Sequence, residues 1–349
     1  MRLAFVALVM TGCLFDDDDG DPSNYVAIDE VPKAYQTAYC SYAARCGLFP
    51  DASSCESTNL LVNSGLMYLL GPSETAAVHA GRVYYNGSHV KACLAAVAAQ
   101  TCDRTDKDGR ILQITAACLD VLRGTVGVGG ACSIDAECIS GECSTSTENA
   151  TCVAGTCLGD TPPSFSPAGL GQPCIPFCAE GLYCDDTTSA CAVLKQAGAP
   201  CDVTSECDYG LICGNDATSI RTCRAAPTLG QPCPEFFCRD EGQYCDSTTS
   251  TCKQYGLPPT TCTSTAQCSP YYPCNFNTVP AQCKPGPRIG EGCMSGRCWD
   301  RDTYCDAVTV TCFAKKAAGA TCTSPDQCQS GACNIDVDPP VCEAPMTCF

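Results

Sequence analysis

Thirty-seven cysteines carry most of the chemistry available to this 349-residue chain. Free thiolates bind zinc or act as nucleophiles, whereas paired thiols oxidise to disulfides. Setting Cys13 aside leaves thirty-six, an even number that permits up to 18 disulfides without a free thiol. Cysteine use on this scale predicts an exported, oxidised protein.

Metal binding is the competing interpretation of these thiols. Zinc sites favour closely spaced cysteine pairs joined by histidine or a second such pair, but the chain has no Cys-x2-Cys and only two histidines. His89 and Cys93 share one helical face and could form a ligand or catalytic pair, unless Cys93 is in a disulfide. We therefore expect no metal site.

A short acidic segment before Gly109 invites comparison with a calcium loop. Aligning Gly109 with the EF-hand glycine, however, puts Arg104 at the first ligand position and Thr115 at that of the bidentate glutamate. An acidic turn that caps a following helix is the favoured interpretation. The acidic residues are Asp103, Asp106 and Asp108.

Catalytic motifs give little support to an enzyme. The sequence has no Gly-x-Ser-x-Gly, no phosphate-binding glycine loop and no His-Glu-x-x-His, and two histidines leave few candidates for a general base. We expect a protein that is not an enzyme, with no catalytic residue and no cofactor.

Aromatic residues in short loops are the remaining functional signal. Loops stapled by disulfides have little core in which to hide large side chains, so these aromatics could anchor a protein or glycan partner. The alternative is that they pack against the disulfides. Phe276 also lies in such a loop, and the predicted contact residues are Phe236, Phe237, Tyr271, Tyr272 and Trp299.

The N-terminus predicts export and attachment. A positive start and an apolar stretch from Leu3 to Val9, too short to span a bilayer, are typical of a cleaved secretory signal over residues 1–12. The sequence from Met10 to Cys13 resembles a bacterial lipobox, which implies diacylglycerol on Cys13 and a new N-terminus there. An ordinary signal peptide cut near Cys13 is the alternative.

Charge restricts the partners. Residues 13–24 contain an acidic run that repels itself and should form a solvated tether. The formal charge of the whole chain is −18, which disfavours nucleic acid as a partner. Membrane contact would therefore depend on the lipid, and we expect a bacterial cell envelope location at the outer membrane or cell surface.

Cysteine density divides the mature chain into two domains. Residues 25–125 contain six cysteines, whose fifteen possible connectivities stay open, and apolar residues at helical spacing. We predict a small all-α domain with three disulfides. Its expected helices run from Ile28 to Cys46 before Gly47, from a cap at Asp51 or Ser53 to Gly71, from Ser73, from a cap at Ser88 after a turn at Asn86-Gly87, and from about Arg110 to Arg123 before Gly124.

Residues 126–349 form an internal repeat of seven four-cysteine groups. After the first group, their starts lie 27 to 32 residues apart. Long repeats (1, 3, 5 and 7) begin with Cys-x5-Cys, and short repeats (2, 4 and 6) contain Tyr-Cys-Asp. Cys157 and Cys348 are read as additions after repeats 1 and 7. The repeats begin at Cys132, Cys174, Cys201, Cys233, Cys262, Cys293 and Cys322.

Each repeat is too short to fold by hydrophobic burial alone. Two disulfides can substitute for a core, since closing a loop of ~15 residues contributes roughly 3 kcal/mol in the chain-entropy treatment. We therefore expect a small disulfide-rich array of short hairpins and loops strung end to end. A tight turn is predicted three residues before the first cysteine of six repeats, at Gly129, Gly171, Gly198, Gly230, Gly290 and Gly319.

The pattern Gly-x-x-Cys, the Cys-x-x-Gly at 138–141 and 328–331, and Gly-Leu-Tyr-Cys at 181–184 resemble the Dickkopf N-terminal-type cysteine-rich repeat. The resemblance covers roughly residues 127–349. It implies an extracellular, protein-binding module, as in predicted bacterial surface lipoproteins, and brings no catalytic residues.

These observations favour a lipid-anchored cell-surface protein that binds an extracellular protein or glycan. A protease inhibitor, an enzyme in the helical domain and a structural spacer of the cell envelope are the alternatives.

Overall fold

A computed structural model describes residues 25–57, 72–106, 117–118, 121–144, 155–162, 167–174, 178–215, 219–276, 278–293, 298–299, 303–330, 332–335 and 337–343. The predicted signal peptide, Cys13, the acidic tether and residues 58–71 of the predicted second helix lie outside these ranges. Within them, no helix combines the length and the continuous apolar character needed to cross a bilayer.

Short helices dominate the described part of residues 25–125. Helix α1 ends in a Schellman motif, in which Gly47 takes a left-handed φ of +72° and Leu48 donates its backbone N–H to the Ala43 carbonyl. Asp51 caps α2 by accepting the Ser54 N–H at 2.7 Å. The helices are α1 (Val31–Arg45), α2 (Ala52–Glu56), α3 (Pro72–His79) and α4 (Gly87–Ala99).

Two local predictions are corrected. Helix α4 is capped by Asn86 rather than Ser88, because the Asn86 Oδ1 accepts the backbone N–H groups of Ser88 and His89. The predicted fifth helix does not reach Arg123, since β2 (Leu122–Gly124) pairs antiparallel with β1 (Val83–Tyr85). Residues 117–118 are helical.

Three disulfides close the helical domain. Cys40–Cys55 joins α1 to α2, Cys46–Cys102 ties the end of α1 to the segment after α4, and Cys93–Cys118 fastens α4.

The rest of the described chain is the predicted disulfide-rich hairpin array. In each repeat, the two described strands form one antiparallel sheet. The strands are β3 (Ala131–Cys132), β4 (Gly155–Thr156), β5 (Leu182–Asp185), β6 (Ala190–Val193), β7 (Leu211–Asn215), β8 (Arg221–Ala225), β9 (Gln243–Asp246), β10 (Thr251–Gln254), β11 (Cys274–Asn275), β12 (Gln282–Cys283), β13 (Thr303–Asp306), β14 (Thr311–Ala314), β15 (Cys333–Asn334) and β16 (Val341–Cys342).

One connectivity serves all seven repeats, first cysteine to third and second to fourth. In repeats 2 to 7 the third and fourth cysteines face each other across the hairpin, as Cys184 and Cys191 do in β5 and β6. The pairs in order are 132–143, 138–157, 174–184, 178–191, 201–213, 207–223, 233–245, 238–252, 262–274, 268–283, 293–305, 298–312, 322–333 and 328–342.

Repeat 1 uses a different fourth cysteine from the one expected. Cys138 bonds to Cys157, so Cys157 belongs to the repeat and Cys152 is the additional residue. Cys152 and Cys348 lie outside the described residues.

The predicted tight turns are confirmed. All six glycines have φ between +74° and +85°, and each donates its N–H to the carbonyl of the fourth cysteine of its repeat, as Gly230 does to Cys252 at 2.8 Å. Glycine adopts this left-handed region at little cost, whereas other residues are strained there.

The array is not simply strung end to end. Its middle repeats fold against the helical domain, so that Tyr39, Tyr42 and Phe49 share one buried cluster with the cysteines of repeat 5. This shared core supplies burial that neither part contains alone.

Candidate contact surface

Of the predicted contact residues, Tyr272 lies inside the shared core and Tyr271 is partly buried against it. The buried Phe49 ring stacks on Tyr271 with centroids 4.7 Å apart and meets Tyr272 edge-on at 5.4 Å. Such aromatic pairs contribute roughly 0.5–1.5 kcal/mol beyond the area that they bury. Both tyrosines are therefore occupied within the chain.

Hydrogen bonds fix the same junction. The hydroxyls of Tyr39 and Tyr271 lie 2.6 Å apart, and the buried Ser269 hydroxyl donates to the Leu48 carbonyl at 2.7 Å. Burial raises the pKa of the Tyr272 phenol to about 12, and burial together with the Tyr271 contact raises the pKa of Tyr39. These phenols stay protonated at neutral pH, so they act as hydrogen-bonding groups and not as bases.

Trp299 extends this aromatic cluster. Its ring stacks on Tyr272 with centroids 6.0 Å apart, and its backbone N–H donates to the Pro287 carbonyl at 2.8 Å. Gly286 lies so close that a Cβ there would be 2.5 Å from the indole. Trp299 is therefore committed to intramolecular packing.

Phe237 lies at a second contact between residues 25–125 and the array. The Arg104 guanidinium lies 4.9 Å from the centroid of its ring, a cation–π contact. Beside it, Arg239 donates two N–H groups to one Asp103 oxygen at 2.6 and 2.7 Å. Burial alone would raise the pKa of Asp103, but the bonds from Arg239 and Thr105 bring it below its ordinary value.

Phe236 is the exception among the five aromatics, since the residue is 75% exposed. Its backbone is left-handed, with φ of +56°, and its N–H donates to the Cys233 carbonyl at 3.0 Å. A bulky residue is uncommon in this conformation, because its Cβ approaches the backbone too closely. An exposed, strained phenylalanine serves no packing role in the single chain.

The loop that carries Phe236 is fixed at both ends and by the residues on either side of the ring. Disulfides bind both ends, through Cys233 and Cys238. Glu235 accepts the Asn215 backbone N–H at 3.1 Å and pairs with Arg224 at 3.2 Å, and Phe237 is fixed below as described. Phe236 is thus presented by a rigid support.

An acid or amide before the second cysteine of each long repeat forms a recurring latch. Its side chain accepts the backbone N–H of the residue four positions earlier, at 2.7 to 3.0 Å. Lys195 and Lys316 also bind this group in repeats 3 and 7. The latch residues are Glu137, Glu206, Gln267 and Gln327.

The other candidate sites considered from the sequence were a His89–Cys93 pair, an acidic calcium loop and clustered cysteines. Cys93 is bonded to Cys118, so it forms no thiol pair with His89. Both oxygens of Asp103 serve Arg239 and Thr105, while Asp108 and Gly109 lie outside the described residues. Sulfur atoms do cluster within 4.8 Å in several repeats, but every cysteine in the described part of the chain is disulfide-bonded.

Sequence reasoning did not find Phe49, Tyr39 or Asp103 as partners of the array. Local periodicity carries no signal for a contact such as Ser269 with Leu48, 221 residues apart. No protein-family model, curated protein or solved structure matches the chain.

Proposed function

We propose that this chain is an exported, lipid-anchored protein of the bacterial cell surface that is not an enzyme and binds another protein through its disulfide-stapled array. The seventeen disulfides among the described residues support an oxidising, extracellular compartment. Attachment through Cys13 and the Dickkopf-type character of the repeats remain part of the proposal.

One observation carries the binding function, the exposure of Phe236 on a rigid loop. An aromatic anchor that is already held in place loses little conformational entropy on binding, so its buried area is available as affinity. Fully burying a phenylalanine contributes roughly 1.5–3 kcal/mol.

A protein partner fits this anchor better than a glycan. The adjacent polar residue in the sequence, Glu235, is already engaged by Arg224 and by the Asn215 N–H. Recognition of a sugar needs free hydrogen-bonding groups beside the aromatic ring, whereas an apolar protein pocket needs only the ring. The net charge of −18 favours a partner with a neutral or basic rim.

The test uses the oxidised full chain, immobilised and exposed to envelope and secreted proteins of the producing cell. We expect one protein to be retained by the wild type and to bind F236A at least tenfold more weakly, by calorimetry, with equal melting temperatures for the two chains. Retention that is equal for the oxidised and the reduced, unfolded chain would contradict the proposal. Binding on a glycan array without a protein partner would replace it with the glycan alternative.

Protease inhibition is tested in the same preparation. A substrate-like inhibitory loop must be extended to pair with a protease, and the left-handed φ of Phe236 opposes that conformation. We therefore expect no stoichiometric inhibition of chymotrypsin, which accepts phenylalanine. Stoichiometric inhibition that F236A abolishes would establish the inhibitor instead.

A further inference from the structure

The hairpin tips of the short repeats have the same backbone. In repeats 2, 4 and 6, the aspartate carboxylate accepts N–H groups two and three residues ahead, and its carbonyl accepts the N–H four residues ahead at 2.7 to 2.8 Å. That fourth residue is left-handed in each tip, with φ of 50° to 54°. The aspartates are Asp185, Asp246 and Asp306.

Side chains distinguish the tip of repeat 6 from the other two. The position two residues after the aspartate is Thr187 in repeat 2 and Thr248 in repeat 4, but Val308 in repeat 6. The left-handed position is serine in the first two, at 189 and 250, but Val310 in repeat 6. The chain itself thus shows that hydroxyl residues satisfy this turn.

Both valines are exposed, and Val310 is also conformationally strained. Val308 is 90% exposed and Val310 is 55% exposed. A β-branched residue in the left-handed region is a conformational outlier, more so than serine. Neither valine improves the folded chain over the residue found in its sister repeats, which points to a role outside the chain.

The rest of the repeat 6 hairpin adds to the exposed apolar surface of its tip. Phe313 on β14 is also exposed, at the position held by Ala192 and Lys253 in the sister hairpins. A four-residue strand is only ~13 Å long, so all three side chains lie on one small projection. The Asp306 carboxylate accepts the Val308 and Thr309 N–H groups of the turn, and residues 307–311 carry no ionisable side chain.

We propose that the repeat 6 tip, formed by Val308 and Val310, is a second contact site that inserts into an apolar pocket with a neutral or basic rim on a protein partner. This inference rests on the proposed protein-binding function and adds a site to it.

Charge favours a protein pocket over a second copy of the chain and over a membrane surface. A second copy of the chain would bring two molecules of net charge −18 together, which their repulsion opposes. Peripheral membrane binding relies on basic residues beside the apolar ones, and residues 306–311 contain none. The nearby Lys316 is already bound to the Thr321 carbonyl and to Gln327. A protein pocket needs only shape and a rim that is not acidic.

The sister repeats provide matched variants. V308T/V310S gives repeat 6 the hydroxyl pattern of repeat 4, while T248V/S250V gives repeat 4 the valines of repeat 6. Because the turn accepts hydroxyl residues twice in this chain, V308T/V310S should keep or raise the melting temperature. A binding loss without a stability loss then separates a contact role from a structural one.

The experiment places a diazirine-bearing side chain at position 308 of the full chain in its own envelope, and at position 248 as control. We expect a protein adduct at 308 and none at 248. The adduct protein, purified, should bind V308T/V310S at least tenfold more weakly than wild type by calorimetry, and T248V/S250V as tightly as wild type.

Other outcomes would overturn the second contact site, and they differ in whether the proposed binding function survives. Equal affinity for V308T/V310S, no adduct at 308, a lipid adduct with binding to phosphatidylcholine vesicles, or an adduct with a second copy would each refute a protein pocket at this tip. If the protein captured through Phe236 still binds, the proposed function survives and only this site fails. If no protein is captured by either route, both fail.

Discussion

Arg82 of the helical domain binds Glu137 of repeat 1 through two parallel hydrogen bonds, Nε to Oε1 at 2.8 Å and Nη2 to Oε2 at 2.9 Å. Only 1% of the Glu137 side chain is exposed. In repeats 3 and 7 the same latch position is bound by Lys195 and Lys316 from within the array. In repeat 1 the cation comes from the segment between α3 and β1, so this ion pair joins the helical part of the chain to the array.

Removal of Arg82 should therefore destabilise the junction. R82A leaves the Glu137 carboxylate buried with backbone N–H groups of Ser133 and Ile134 but no cation, and breaking a buried pair in this way costs about 3 kcal/mol. Guanidinium unfolding without reductant measures the loss. E137Q is the matched variant, because Gln267 and Gln327 hold this position in repeats 5 and 7, and it should cost less than R82A. Equal losses for the two variants would contradict the role of the buried charge.

Acid should loosen the contact between the helical domain and repeat 4. The pKa of Asp103 is lower folded than unfolded, because the bonds from Arg239 and Thr105 outweigh burial. Its stabilising effect is therefore complete above the unfolded pKa of ~3.9 and is lost as pH falls below that value.

Melting temperatures of the oxidised chain from pH 7 to pH 2 test this expectation. Wild type should lose stability below about pH 4. D103N, which cannot ionise, should be less stable at pH 7 and show a shallower decline. A D103N curve parallel to wild type at all pH values would assign the acid sensitivity to other carboxylates.

The shared aromatic core should depend on Phe49. F49A removes a buried ring that contacts Tyr271 and Tyr272, and a phenylalanine-to-alanine change in a core costs about 3–5 kcal/mol. F276A is the matched control in repeat 5, because Phe276 is exposed and its loss should stay within about 0.5 kcal/mol. Denaturant unfolding of both oxidised variants gives the comparison. A small effect of F49A would mean that the array does not rely on the helical domain.

Sequence predicted the elements whose cause is local. Gly47 ends α1, and glycines such as Gly230 form the turns before each repeat, because only a left-handed residue fits there. Where two capping residues lie close together, the predicted start of a helix was displaced. Helix α4 is capped by Asn86, whereas Ser88 was expected to cap it.

Contacts between distant segments were beyond local signals. Phe49 and Tyr271 belong to unremarkable stretches of sequence, and nothing near either residue indicates that they stack. The aromatic surface was therefore predicted as one set, whereas folding buries most of it and leaves Phe236 exposed. Disulfide connectivity was likewise open, because cysteine spacing alone cannot choose among pairings.

Phe236 and Phe237 should separate binding from stability. F236G removes an exposed ring and relieves the left-handed backbone, which costs a non-glycine residue about 1–2 kcal/mol, so the variant should be as stable as wild type or more stable. Its partner affinity should nevertheless fall, since the anchor is gone. F237A should instead lower the stability of the folded chain, because the Phe237 ring packs beneath Arg104. Calorimetry gives the partner affinity of each variant, and unfolding curves give its stability. A stability loss in F236G, or an unchanged affinity, would show that the exposed ring is not a binding anchor and that its conformation serves the fold.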